Sequence, residues 1–374
     1  MTSVVSEGYT DGIANAEKGI KTMKYTKIFA FLLTAGLLLT LCACKSDPKS
    51  EEQEEPDPNF PVQLELVHET LTIQEAPSSV VSLSPAITTL FYELGEDEFL
   101  KGVSSYAPAE AAEKTDCGTA QFVDLEAVAA IGPDLLFTDT PLLEEQLTEL
   151  YQMDVEVIWI PRPESEQEIQ ERAELVLLAL YGREEGAKRA DTFAEEWQKA
   201  WQPLEEVETS VKEEKNVLLL GREDLAATGD TWEGKLLEFL GMKNPAQEGS
   251  NWQVPEKQTA EDGTVSYVYD EDAVEWNPDV IFYDSRLSAE EIKAHQLYAD
   301  SNAVANDALY PLDWSILQMQ NRELPELLGS MVEKVYPELW EQIQEEWKAA
   351  QESEQNTEET EPAEPEAQAE AEKE

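Results

Sequence analysis

The chain has 374 residues, of which 80 are Asp or Glu and 26 are Lys or Arg, so its formal net charge at pH 7 is -54. Such a charge repels nucleic acid and anionic lipid headgroups, which excludes both as partners, and it attracts cationic protein surfaces. The length is sufficient for two domains of ordinary size.

The first 43 residues have the organisation of a signal peptide behind a short extension. Residues 23–27 are positively charged, residues 28–41 form an almost unbroken apolar run, and Leu41-Cys42-Ala43-Cys44 closes it. The run is too short for a stable membrane span, and this order is typical of a cleaved signal. The last four residues resemble a bacterial lipobox, which implies cleavage before Cys44 and lipidation of its thiol. A plain secretory signal is the alternative.

Polar segments flank the predicted folded region. Residues 44–61 are rich in Glu and Pro, and residues 349–374 are mainly Glu, Ala, Pro and Gln, so we expect a disordered tether and a disordered acidic tail. A lipid on Cys44 would hold the protein on the outer face of the bacterial cytoplasmic membrane. With Cys42 cleaved off and Cys44 lipidated, Cys117 has no cysteine partner, so it is expected to pack as a small apolar residue.

Strands and helices alternate between residues 62 and 162. A strand over residues 79–83 leads to a helix with Ser84 as N-cap and Pro85 at its first position, and Gly95 ends that helix. Further strands are predicted near residues 101–106, 135–137 and 155–160, with helices after Asp124 and over residues 143–151. This alternation is typical of a parallel sheet whose two faces are covered by helices.

Residues 163–212 keep the helical spacing of apolar residues, so connecting helices are predicted there. A second α/β lobe is predicted over residues 213–348. Strands are expected in residues 217–221 and 280–282, and a last short strand and loop in residues 309–314. A helix capped near Thr231 is also predicted, and an amphipathic closing helix is expected with the apolar residues Leu324, Leu327, Met331 and Val335.

One unit of sequence occurs in both lobes. Asp124-Leu125-Glu126 precedes Pro133-Asp134-Leu135, and Asp270-Glu271 precedes Pro278-Asp279-Val280. In each copy a Glu lies seven positions before the Pro-Asp pair, and the copies are 145 residues apart. Each copy predicts a helix capped by Asp, a stop at Pro and a buried strand. The repeat therefore indicates two similar lobes with a cleft between them.

The order of these elements resembles the periplasmic-type substrate-binding lipoproteins of ABC importers, in the class that takes up ferric siderophores, haem and cobalamin. The resemblance covers about residues 80–340 and is carried by Val81 to Thr88 (Val-Ser-Leu-Ser-Pro-Ala-Ile-Thr), Gly102 to Tyr106, the first copy of the repeat and the connecting helix. It implies the class III binding-protein fold, in which two Rossmann-like lobes with parallel sheets are joined by one long backbone helix. Ligand would lie between the carboxyl ends of the strands, which the general rule for open α/β sheets also predicts.

The resemblance implies a role for the two repeated Glu residues. Members of the family present one Glu from each lobe to Arg residues of the permease, and Glu126 and Glu271 occupy that place. The alternative is that each Glu only stabilises the N-terminus of its helix through the helix dipole.

Ligand-binding residues are predicted on two grounds. By resemblance, Tyr106 matches a cleft-lining Tyr of the cobalamin binders and Trp314 lies in a late pocket segment, although the Trp residues of those proteins near Ala120 and Asp139 are absent here. Four further residues are predicted because they follow strands: Arg222, Trp232, Trp252 and Arg286. Each Trp could instead belong to the core, and each Arg to a surface ion pair.

The sequence offers little for catalysis. His68 and His295 have no partners at metal-ligand spacing, and no nucleophile elbow, phosphate-binding loop or dinucleotide-binding turn occurs. We therefore expect no catalytic residues, no cofactor and no resident metal. A haem ligand, if present, would be Tyr106 or Tyr267.

The leading hypothesis is a monomeric, lipid-anchored receptor that captures a metal chelate and delivers it to an ABC importer permease. The supply of Trp and Tyr favours a corrinoid or another neutral chelate over an anionic siderophore. A surface lipoprotein that uses the fold for adhesion or assembly is the alternative, and a chelatase-like enzyme is a third.

Overall fold

The computed structural model describes residues 57–221, 226–246, 256–259, 265–268, 276–295 and 297–358. The chain divides into two compact units, the first ending at Glu195 and the second beginning at Glu196. The predicted lobe limits at residues 162 and 213 lie on either side of this division.

The first unit is built on a parallel sheet. A hairpin of β1 (Val62–Glu65) and β2 (Thr70–Ile73) precedes it. The sheet contains β3 (Val80–Ser82), β4 (Leu100–Val103), β5 (Thr115–Asp116), β6 (Leu135–Thr138) and β7 (Glu156–Trp159). Their order is β5-β4-β3-β6-β7 and all neighbours are parallel. The chain moves outward from β3 in one direction and then returns to place β6 on its other side, so the topological switch point lies between β3 and β6.

Helices begin where the sequence placed their caps. In α1 (Pro85–Leu94) the Ser84 hydroxyl accepts from the Ile87 N–H, and Gly95 at φ 74° ends the helix. In α2 (Leu125–Ile131) the Asp124 carboxylate accepts from the Ala127 N–H at 3.0 Å. The next helix is α3 (Glu144–Gln152), and a short 3-10 turn covers Ala109–Ala111. Side chains from α2 and α3 pack in one cluster with Val81, Leu136 and Val157 of the sheet, so these two helices cover the same face.

The long helix α4 (Glu166–Ser210) crosses the division between the units. Gly182 interrupts it with φ 73° and ψ -160°, so the element is two helical segments joined at a kink. Asn59 caps the second segment, because its side-chain oxygen accepts from the N–H groups of Glu184 at 3.1 Å and Glu185 at 3.3 Å. Its backbone oxygen accepts from the Arg183 N–H at 3.1 Å. Residues 57–61, which we assigned to the disordered tether, are therefore part of the folded first unit.

The second unit contains β8 (Val217–Leu220), the hairpin of β9 (Glu256–Thr259) and β10 (Val265–Val268), β11 (Val280–Asp284) and β12 (Leu309–Leu312). Strands β12, β11 and β8 form a parallel sheet in that order. Its helices are α5 (Trp232–Phe239), α6 (Ala289–Ala294), α7 (Asn302–Ala305), α8 (Trp314–Met319), α9 (Leu324–Val335) and α10 (Pro337–Glu358). The predicted acidic tail starts at residue 349, but α10 extends to Glu358. The first ten residues of that tail are therefore helical.

The Pro-Asp pair of the repeated unit has the same structural role in both units. The Asp134 carboxylate accepts from the N–H groups of Ser78 and Ser79, at 2.7 and 3.0 Å, just before β3. The Asp279 carboxylate accepts from the Asn216 N–H at 3.0 Å, just before β8. Each Asp thus fixes the start of its own strand against the start of the neighbouring strand.

These observations confirm the predicted fold class, with two α/β units, parallel sheets and a long helix. Across the described ranges, no helix combines the length and the apolar character needed to cross a bilayer.

Candidate functional site

The switch point of the first sheet is held by hydrogen bonds between strand ends. The Ser84 hydroxyl, after β3, donates to the Asp139 carboxylate, after β6, at 2.5 Å. The Asp139 backbone oxygen accepts from the Trp159 indole N–H, at the end of β7, at 3.2 Å. Asp139 therefore connects the ends of three strands at the edge where ligands of open α/β sheets bind.

A cavity of about 350 Å³ lies beside the end of β7. Its walls include Trp159 and Arg162, the residues after β1, and the first turns of α4 with Arg172. Arg172 is only 3% exposed, and burial lowers the pKa of its guanidinium to about 10 although the negative charge of Asp139 opposes this shift. Four Glu residues also line the cavity: Glu65, Glu164, Glu168 and Glu171. The cavity is thus lined by apolar side chains and by side chains of both charge signs.

Tyr106 lies on the loop after β4, with its side chain 75% exposed. The loop is fixed at its base, because the Asp116 carboxylate accepts from the Ser105 hydroxyl and from the Gly118 N–H, both at 2.8 Å. The Ser105 N–H donates to the Gly118 carbonyl at 2.8 Å. These donors lower the pKa of Asp116 below its ordinary value. The phenol ring is thus presented to solvent from a positioned backbone, as a ligand-stacking residue requires.

Sequence reasoning missed two further exposed apolar residues at this edge. Phe122, in the turn before α2, is 83% exposed, and Leu143, the N-cap residue of α3, is 61% exposed. Phe122 follows a Gly-Thr-Ala-Gln segment and lies outside the apolar stripe of α2, which was the available sign that it belongs to a turn. Glu126 is exposed in the first turn of α2, four residues after Phe122.

In the second unit, Arg286 follows β11, and its guanidinium binds a buried carboxylate through two nitrogen atoms. Its Nε donates to the Asp284 carboxylate oxygens at 2.8 and 3.0 Å, and its Nη2 also donates to Asp284. The Asp284 side chain is 1% exposed and that of Arg286 is 49% exposed. The hydrogen bonds from Arg286 to Asp284 raise the pKa of Arg286 further, so it stays charged, but its charge is largely balanced by Asp284.

Trp232 and Trp314 are buried, at 8% and 4% exposure. Trp232 begins α5 and Trp314 begins α8, whose cap Asp313 accepts from the Ser315 N–H at 3.0 Å. The alternative interpretation of Trp232 as a core residue agrees with its burial, and Trp314 is buried to a similar degree. Their contact with a ligand stays a prediction.

Several predicted residues lie outside the described part of the chain: Cys44, Arg222, Trp252 and Glu271. For Tyr267, in β10, only the backbone is described. Of the predicted residues, the structure therefore places Tyr106 and Glu126 at the carboxyl edge of the first sheet and Arg286 at that of the second. Among the described side chains, no group of three or more His, Cys, Asp or Glu is arranged to hold a metal ion.

The sequence pattern of the family described as "Periplasmic binding protein" matches residues 80–315, more than half of the chain. The chain belongs to this family. The match begins at β3 and ends just after β12, so it includes both parallel sheets and the long helix. The family consists of binding proteins rather than enzymes.

A curated relative is the uncharacterized ABC transporter substrate-binding lipoprotein YvrC of Bacillus subtilis (strain 168). It is 24% identical over 327 residues, which cover 84% of this chain and 98% of the relative. The similarity therefore extends along nearly the whole length of that protein.

Solved structures with the same fold include three with related descriptions. The possible iron-binding (periplasmic solute-binding) protein of Staphylococcus epidermidis is 20% identical with a TM-score of 0.55, covering 70% of this chain and 100% of that one. The periplasmic haem-binding protein HutB of Vibrio cholerae is 18% identical with a TM-score of 0.55, and the match covers 69% of this chain and 99% of that one. The periplasmic vitamin B12 binding protein BtuF of the same organism is 20% identical with a TM-score of 0.50, and the match covers 74% of this chain and 98% of that one. At these identities the likeness concerns the fold.

Proposed function

We propose that this protein is the extracytoplasmic receptor of an ABC importer, anchored by lipid at Cys44, and that it binds a metal chelate without transforming it. The observation that carries the proposal is the carboxyl edge of the first sheet, where Tyr106 is exposed on a loop fixed by Asp116. The lipoprotein relative and the iron, haem and vitamin B12 binding proteins of the same fold support the class of ligand.

The charges at the carboxyl edge of each sheet, taken separately, favour a neutral chelate. Arg286 is balanced by Asp284, and the cavity beside β7 has four Glu residues against Arg162 and Arg172. An anionic siderophore needs cationic groups in excess to offset its desolvation, whereas a corrinoid or neutral ferric chelate gains from aromatic stacking. We therefore propose a corrinoid or neutral chelate as the ligand.

The test is a titration of the soluble form that starts at Lys45, followed by quenching of Trp fluorescence. Cyanocobalamin, haem, and anionic and neutral ferric siderophores are added separately, with corrections for their absorbance. We expect saturable, submicromolar binding of one neutral chelate. Absence of binding across the panel would instead favour the surface-lipoprotein alternative.

Two substitutions of Tyr106 separate its possible roles. Tyr106→Ala is expected to weaken binding about tenfold or more, because a stacked ring contributes roughly 0.5–1.5 kcal/mol beyond its buried area. Tyr106→Phe keeps the ring and should retain most of the affinity for a stacked ligand. If Phe and Ala weaken binding equally, the hydroxyl is the important group, as expected for a haem ligand.

We also propose that Glu126 and Glu271 dock the protein to the permease. Glu126 is exposed at the start of α2, and a chain of this charge suits a cationic partner surface. The double variant Glu126→Ala with Glu271→Ala should keep ligand affinity and lose uptake in cells. Unchanged uptake would contradict the docking role.

A further inference from the structure

The turn before α2 holds Phe122 in a fixed but exposed position. The Thr119 N–H donates to the Phe122 carbonyl and the Phe122 N–H to the Thr119 carbonyl, both at 3.0 Å. Gly118 has φ +80°, and a Cβ there would lie 2.2 Å from the Phe122 oxygen, so the turn needs glycine. Burying such a side chain would contribute roughly 1.5–3 kcal/mol, which the single chain leaves unrealised. An exposed Phe on a backbone fixed in this way is typical of a residue that becomes buried by a partner.

Leu143 lies beside this turn. The Gln146 side chain accepts from the Leu143 N–H at 2.9 Å and donates to the Gln121 carbonyl at 3.3 Å, which ties the start of α3 to the Phe122 turn. Helices α2 and α3 cover the same face of the sheet, and both begin at its carboxyl edge. Phe122 and Leu143 therefore belong to one surface, at 83% and 61% exposure.

Exposed acidic residues follow both members of this pair in the chain. Glu126 is exposed in the first turn of α2, and Glu144 and Glu145 are exposed in the first turn of α3. An apolar centre with a charged rim is the usual composition of a protein–protein interface. The charge selects a partner surface with Arg or Lys around an apolar side chain, and it opposes an anionic small ligand.

We propose that Phe122 and Leu143 form the apolar centre of the surface by which the first unit docks to the importer's permease, with Glu126, Glu144 and Glu145 as its acidic rim. The inference rests on the proposed importer function and adds to it the residues that are buried on docking. The aromatic ring is the expected anchor, and the carboxylates orient the approach.

The test uses the full-length chain in the strain that encodes it, with a photo-crosslinking amino acid at position 122, 143 or 153. Met153 caps the opposite end of α3 and is 37% exposed, so it serves as a control about 14 Å away along a nine-residue helix. We expect light-dependent adducts at 122 and 143 whose partner, identified by mass spectrometry, is the membrane-spanning subunit of an importer. Equal adducts at 153, or none at 122 and 143, would overturn the proposal.

A second measurement compares uptake with affinity. Phe122→Ser combined with Leu143→Ser should lower uptake of radiolabelled cyanocobalamin, or of the ferric chelate that binds in the titration, at least tenfold while ligand affinity changes less than twofold. A parallel loss of affinity would place these residues in the ligand site and overturn the proposal. If the wild type takes up the chelate and the variant does so equally well, this inference alone is overturned. A wild type that neither binds nor takes up any chelate overturns the proposed function.

Discussion

Replacing Gly182 by Ala tests whether Asn59, in the segment predicted to be a tether, has a structural role at the kink of the long helix. Gly182 has φ 73° and ψ -160°, a backbone region that only glycine occupies readily, and forcing another residue into it costs about 1–3 kcal/mol. A Cβ at this position would lie 2.5 Å from the backbone oxygen of Asn59 and 2.6 Å from its Cβ. Asn59 would have to move, which would release its cap on Glu184 and Glu185.

Loss of such a cap costs about 0.5–2 kcal/mol, so Gly182→Ala should destabilise the protein by roughly 1.5–5 kcal/mol in total. The matched control is Gly95→Ala, because Gly95 has nearly the same φ of 74° but open space where the Cβ would lie. The control should lose only the conformational term, about 1–2 kcal/mol. Urea denaturation of the soluble form that starts at Lys45, followed by circular dichroism, compares the two.

The coupling between Gly182 and Asn59 gives a sharper criterion. Asn59→Ala alone should cost about 1 kcal/mol through the lost cap. In the double variant the combined loss should be smaller than the sum of the two single losses, because the substitution at position 182 has already displaced Asn59. Equal destabilisation by Gly182→Ala and Gly95→Ala, or full additivity with Asn59→Ala, would refute the reasoning.

Three further predictions concern the first unit. Cys117 is fully buried, and burial raises the pKa of its thiol to about 11. A disulfide reagent at pH 8 should therefore label Cys117 only after the protein unfolds. Rapid labelling of the folded protein would contradict this burial. Asp116→Ala should weaken ligand binding through Tyr106 with little loss of stability. Because the pKa of Asp116 is lowered below its ordinary value, the carboxylate stays ionised to lower pH than a free one, so wild-type affinity should hold down to about pH 4 and fall only at lower pH. A loss of affinity centred above about pH 5 would contradict this role. The Glu96 side chain is 5% exposed, and its carboxylate accepts hydrogen bonds from the Tyr181 hydroxyl and, at 2.8 Å, from the Arg189 guanidinium. Glu96→Ala should therefore lower the free energy of unfolding by about 2–3 kcal/mol, and Glu96→Gln should lower it less. Thermal unfolding of both variants measures these losses.

The elements whose boundaries depend on local chemistry could be predicted from the sequence. Ser84 and Asp124 cap helices because their side chains satisfy N–H groups within three residues, and Gly95 ends a helix because glycine accepts a positive φ. The repeated Pro-Asp pair likewise marked two buried strands, β6 and β11. In each of these cases the residues that decide the structure are adjacent in the chain.

The parts that failed depend on contacts distant in sequence. Asn59 resembled tether residues, yet it is held by backbone groups 124 to 126 positions away. Trp232 and Trp314 were predicted as ligand contacts, which stays a prediction, and no adjacent residue in the sequence indicates that both are buried. Phe122 and Leu143 resemble core residues in a sequence, and only the path of the chain around them shows that they are exposed.

The contact of Asn59 with the kink of α4 also determines how the anchored protein would be confined. If lipid is attached at Cys44, the chain from there to the folded unit spans fifteen residues, with a greatest reach of about 50 Å at 3.3–3.6 Å per residue. A receptor held this close to the bilayer meets a permease in the same membrane at an effective concentration that reaches the millimolar range for short flexible linkers. Under that confinement a small docking surface suffices, and the same pair of proteins mixed in free solution is expected to associate only weakly.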